Sequence, residues 1–170
     1  FVAETGAVND CHSGPFRYYS SDDDGIIFAD CVYTPLFLSC ACCGNIWHWD
    51  ARYVESKNLY HMYKPLKALT DGINFDEEDF TAADCSDSKA YVLALRGKKH
   101  DLYYIRNKSA SWQNILRDLN APTVIEEIAL DICGTAEIIH IWNDNAKSVG
   151  NKIKNIEKGL FVRVTKEMQQ

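Results

Sequence analysis

The spacing of apolar positions changes about halfway along the chain. Early on, two short apolar runs end in carboxylate and aromatic residues. The first is Phe1-Val2-Ala3-Glu4-Thr5-Gly6, and the second is Asn45-Ile46-Trp47-His48-Trp49-Asp50 after Gly44. Both predict strands. Residues 7–24 are rich in Asp, Ser, Gly and Pro and predict a long surface loop. Residues 26–43 are nearly all apolar or small and predict a buried helix, kinked at Pro35 and stopped at Gly44, with N-cap candidates in Asp22-Asp23-Asp24-Gly25. Over 58–69, Leu59, Met62, Tyr63, Leu66 and Leu69 recur at helical spacing, and Gly72 ends that element. Strand, loop, helix, repeated once, is the order of two successive units of a parallel (β/α)8 barrel.

Beyond an acidic linker at 76–87 the period shortens. Residues 89–96, 100–107, 123–132, 137–142, 152–156 and 160–165 are β-branched and aromatic, alternate in polarity, and are separated by Gly or Asn turns. Many short strands at this spacing predict an antiparallel β-sandwich. The expected fold class is α+β: a partial (β/α)8-barrel segment over 1–76 followed by a β-sandwich over 77–170.

Charge and composition narrow the function. Lys and Arg total 18 against 24 Asp and Glu, a net charge of −6, which disfavours a nucleic-acid partner because phosphate binding needs a basic surface. An uncharged or polyol ligand fits better. The longest apolar stretch, 26–49, is broken by Asp30, Pro35, Asn45 and His48, so a membrane span is not expected. Seven cysteines include the cluster Cys40, Cys42 and Cys43, but no second cluster or paired His completes a tetrahedral metal site. Neither metal nor cofactor is expected, and these cysteines read as small packing residues. A sequon stands at Asn107-Lys108-Ser109.

The order of parts resembles the C-terminal third of a retaining clan-A glycoside hydrolase of the cellulase and mannanase kind. The parts that carry the resemblance are Ala3-Glu4-Thr5-Gly6, a long loop and helix, Gly44 to Asp50, then Asn58-Leu59-Tyr60 leading to Pro65-Leu66-Lys67, and a trailing sandwich. The resemblance implies that Glu4 is the nucleophile, at the end of the seventh barrel strand. Retention requires a second carboxyl group about 5–5.5 Å away that acts first as acid and then as base. In the family that group follows an Asn at the end of the fourth strand, so the chain is expected to be the C-terminal segment of a longer enzyme. The eighth strand of such enzymes carries a Trp that stacks on the sugar. Trp47 and Trp49 fall in that stretch, Trp49 nearer its C-terminal end, and an indole face suits the C–H face of a pyranose. His48, Asp50 and Asn45 can bind the hydroxyl rim, and His12 in its loop can reach a sugar hydroxyl. Where relatives carry Gly and Ala before that strand, this chain has Ser39-Cys40-Ala41-Cys42-Cys43. The implied partner is a polysaccharide or oligosaccharide, and the implied location is extracellular.

Each of these residues also has a structural reading. Glu4 can cap a turn, and Trp47 and Trp49 can pack between helix and strand. Trp112, Tyr103, Tyr104 and Trp142 can form a flat face for polysaccharide or simply fill the sandwich core. The alternative function is a non-catalytic carbohydrate-binding sandwich, and a third reading makes the sandwich a structural cap. Two barrel units cannot close a barrel, so open strand edges predict self-association.

Overall fold

The structure, a computed structural model, describes residues 4–11, 14–38 and 42–167. Helix α1 (Ile26–Phe37) carries buried residues on almost every side. A short 3-10 turn (Leu59–Met62) leads into the amphipathic helix α2 (Tyr63–Thr70), and Gly72, at φ +72°, turns the chain out of it. Helix α3 (Phe75–Glu78) and strand β1 (Thr81–Asp84) occupy the stretch expected to be a linker. The acidic residues there have local roles. Glu77 pairs with Lys99 at 3.0 Å, and Asp84 accepts the Ser86 N–H where β1 ends.

The remaining strands are β2 (Ala90–Arg96), β3 (His100–Asn107), β4 (Ile125–Ala129), β5 (Thr135–His140), β6 (Lys147–Val149), β7 (Lys152–Ile156) and β8 (Gly159–Thr165). Helix α4 (Trp112–Leu116) lies between β3 and β4. The molecule is α+β with two antiparallel sheets, one in the order β1-β2-β3-β8-β5 and the other β4-β7-β6. Register in the large sheet pairs Leu93 with Tyr104 and Tyr104 with Phe161.

Both faces of the large sheet are covered. On one, Val92, Ala94, Tyr103, Ile105, Val162 and Val164 meet Ile125, Ile128, Ile153 and Ile156 of the small sheet. On the other, Leu93, Leu95, Leu102, Tyr104 and Phe161 meet α1 and α2 through Phe28, Val32, Tyr33, Phe37, Leu66 and Leu69. This second cluster draws on residues from both sides of position 76. It explains why 101–107 are buried without interruption, since a strand covered on both faces has no solvent side.

Two expected elements differ in form. Helix α1 ends at Phe37 rather than running to 43. Pro35 has no N–H for the Cys31 carbonyl, and the Leu38 N–H turns back to the Pro35 carbonyl, which closes the helix early. The two expected parallel strands meet as one isolated parallel bridge, Thr5 to Ile46, and no other parallel pairing occurs among the described residues. After Trp47 the chain turns, and the carbonyls of His48, Trp49 and Asp50 accept from Val54, Glu55 and Tyr53, leaving none to extend a ladder.

Candidate functional site

The site is built around the Thr5–Ile46 bridge. The Thr5 N–H donates to the Asn45 carbonyl at 2.6 Å and the Trp47 N–H donates to the Thr5 carbonyl at 2.8 Å. Gly44 permits this approach. A Cβ there would lie 2.2 Å from the Cys31 carbonyl and 2.7 Å from Thr5 Oγ1. The Cys31 carbonyl is the one that Pro35 leaves without an intrahelical donor, and the Gly44 N–H donates to the neighbouring Val32 carbonyl at 2.8 Å. Gly44 therefore joins the N-terminal segment to α1 instead of terminating the helix. Gly6 sits at φ +131°, a conformation L side chains rarely adopt, with the Tyr19 hydroxyl close by.

Glu4 is exposed and immediately precedes this bridge. Across it, burial alternates even though the chain turns. Ile46 and His48 are buried, while Trp47 is 45% and Trp49 63% exposed. Tyr60, 47% exposed, donates its hydroxyl to the Trp49 carbonyl at 3.1 Å and adds a third exposed ring on a neighbouring element. Tyr60 was legible as an aromatic on the polar face of the 58–69 helical pattern, the one signal that marks it out. His48 packs edge-on to Tyr19 at 5.7 Å, and Tyr19 stacks on Tyr53 at 3.8 Å with 11° between the planes. These rings support the Trp47–Trp49 segment from beneath.

The four aspartates Asp22, Asp23, Asp24 and Asp50 are engaged. Arg52 grips Asp50 with two guanidinium bonds, Nε to Oδ1 at 2.9 Å and Nη2 to Oδ2 at 2.7 Å, and this holds the Asp50 carboxyl down at about 2. Asp23 pairs with Lys57, and Asp24 pairs with Lys158. Asp22 is fully buried. It accepts the Ile26 and Ile27 N–H groups at 2.8 Å each and the Tyr53 hydroxyl at 2.5 Å. It thereby caps α1 from outside, while Gly25 at the N-cap position adopts φ +67° and makes no side-chain cap bond. Burial pushes the Asp22 carboxyl up, and its three donors offset this only in part.

The aromatics expected to form a flat face or a core are spread over several surfaces. Tyr103 and Tyr104 are buried on opposite sides of the large sheet. Trp142 is 9% exposed and donates its indole N–H to the Asp24 carbonyl at 2.7 Å. Trp112 packs edge-on against Phe16 at 5.2 Å. These four rings do not share one flat exposed surface. His12 lies outside the described residues. Among the described residues, no group of three or more His, Cys, Asp or Glu gathers as a metal site, and no helix is long and apolar enough to cross a membrane. No protein-family model matches the chain, and no curated protein or solved structure matches it either.

Proposed function

We propose that this chain carries the nucleophile and part of the sugar-binding wall of a retaining glycoside hydrolase acting on a polysaccharide or oligosaccharide. The observation that carries the reading is the Thr5–Ile46 bridge, which ties the Glu4 segment to the backbone of two exposed indoles. Solvent-facing tryptophans on a braced segment offer the apolar platform that a pyranose face takes. Glu4 attacks the anomeric carbon, a carboxylate oxygen–carbon bond forms as the bond to the departing oxygen breaks, and water later releases the sugar with its configuration retained. Neither a metal nor an organic cofactor enters this chemistry.

The acid/base partner is none of Asp22, Asp23, Asp24 or Asp50. A general acid needs a proton near neutral pH and access to the leaving group. Asp50 is held ionised by Arg52, Asp22 is sealed beneath Tyr53, and Asp23 and Asp24 are paired to lysines. With these four engaged, the resemblance, in which the acid/base follows an Asn on the fourth strand, calls for a carboxyl group from other polypeptide.

A dinitrophenyl glycoside tests this, because its leaving group departs without an acid. Mixed with dinitrophenyl β-glucoside and β-mannoside, the chain is expected to release a burst of at most one dinitrophenolate per molecule, and Glu4→Gln to release none. Equal release from the Glu4→Gln variant would remove Glu4 from the mechanism.

A further inference from the structure

The segment that follows Glu4 is held by the Thr5–Ile46 bridge and, two residues further on, by Tyr19. The Tyr19 side chain is buried, and its hydroxyl accepts the Ala7 N–H at 2.9 Å and donates to the Ala7 carbonyl at 2.8 Å. A neighbouring antiparallel strand engages a residue in the same way, through both of its main-chain groups, so at Ala7 the hydroxyl takes the place of a strand. Burial pushes the phenol up to about 12, which keeps it protonated and able to donate. Gly6 lies between the two attachments. A Cβ there would sit 3.1 Å from Tyr19 Oη, so the absence of a side chain lets the hydroxyl approach.

The same residue reaches the indole side. Its ring stacks on Tyr53 and meets the His48 ring edge-on. His48 stands between Trp47 and Trp49, and the Tyr53 N–H donates to the Asp50 carbonyl at 3.0 Å, which fixes the turn after Trp49. Tyr19 thus touches both halves of the site: its hydroxyl serves the main chain three residues beyond Glu4, and its ring serves the segment that carries the two exposed indoles.

We propose that Tyr19 is a positioning residue, a latch whose hydroxyl sets the Glu4 segment against the Trp47–Trp49 wall. What Glu4 does there rests on the glycosidase reading, whereas the latch is a property of the fold. A nucleophile misplaced by about 1 Å can lose on the order of 10²-fold in rate. Sugar affinity lies with the indoles and does not pass through the hydroxyl.

Tyr19→Phe tests this, because it keeps the stack and deletes the hydroxyl. Amide hydrogen exchange of the whole chain, read by NMR, should show the Thr5 and Trp47 amides of the bridge exchanging about fivefold or more faster than in the parent, as the loss of one net hydrogen bond predicts, with the β3 amides unchanged. With dinitrophenyl β-glucoside or β-mannoside, the burst should keep the parent's half-saturating concentration and slow by about tenfold or more at saturation. Bridge amides as slow as the parent's, β3 amides that speed up as much as the bridge's, or a burst as fast as the parent's would each overturn the proposal. No burst from the parent chain would sink the glycosidase reading instead, and the bridge amides would then decide the latch alone.

Discussion

Replacing Tyr53 by Phe isolates the buried polar centre on which the candidate site rests. The Tyr53 hydroxyl donates to Asp22 Oδ2 at 2.5 Å and accepts from the Phe28 N–H at 3.0 Å, and all three residues are fully buried. Removing it leaves the Phe28 N–H, one of the first-turn donors of α1, without a partner, which costs about 1–3 kcal/mol. It also takes one of three donors from a buried carboxylate, and a hydrogen bond to a charged group is worth about 1.5–3 kcal/mol. The Phe ring retains the stack on Tyr19, so packing changes little. The two losses share one centre and do not fully add, and a net destabilisation of about 3 kcal/mol is expected. The loss also depends on pH. Burial already raises the Asp22 carboxyl, and without Tyr53 it rises further. A carboxyl whose folded value is raised holds its proton more tightly in the folded state. Stability is therefore full below the unfolded value of about 3.9 and declines as pH climbs through the folded value. Urea unfolding of parent and variant at pH 4 and pH 7 should show the larger difference at pH 7. A loss under about 1 kcal/mol, or one equal at the two pH values, would refute the assignment of Asp22 as a buried carboxylate sustained by that hydroxyl.

Two further perturbations probe the frame. Arg106→Met should cost about 3 kcal/mol in urea unfolding, the low end for breaking a buried pair because the Asp30 side chain is 36% exposed; a variant as stable as the parent would show that the Arg106 clamp between α1 and β3 contributes nothing. Glu78 is buried, which opposes its ionisation. The His100 ring at 2.6 Å and the N–H groups of Lys99 and His100 more than offset this and hold its carboxyl below the ordinary range. Its contribution is present above the unfolded value of about 4.3 and lost as pH falls through the lower folded value, so Glu78→Gln should flatten the acid limb of the stability profile measured by thermal melting. An unchanged acid limb would contradict that.

Helices α1 and α2 and most strands of the two sheets were legible because their signals are local, whereas the one-turn helices α3 and α4 are too short to show a period. Leu59, Met62, Leu66 and Leu69 share a helix face whatever lies opposite it, and 152–156 alternates in plain view. What α1 packs against was not legible, because an almost wholly apolar helix carries no stripe to show which side meets which partner. Strands β1 and β6 were missed: Thr81-Ala-Ala-Asp lies in an acidic stretch, and Lys147–Val149 is three residues with none buried. Asp22 was legible as a capping residue but not as a buried one, since nothing in the run Asp22-Asp23-Asp24 separates it from its exposed neighbours. Tyr19, in a single 3-10 turn, and Tyr53, in a loop, lie outside any periodic stretch and gave no warning of their stack. The Asn107 sequon illustrates the reverse, a motif that folding puts to another use. Its Nδ2 donates to the carbonyls of Thr123 and Glu157 at 2.7 and 2.8 Å, and its Oδ1 accepts from Ser109, so the amide is a buried splice between β3 and the strands behind it.

The nucleophile assignment is tested most directly by trapping. A deoxyfluoro glucosyl or mannosyl dinitrophenolate can form the covalent ester, but the fluorine slows its hydrolysis, so the adduct persists for peptide mass spectrometry. One added fluorosugar is expected, located on the peptide containing Glu4 and absent from Glu4→Gln. No adduct with either sugar, or an adduct on another residue, would contradict it.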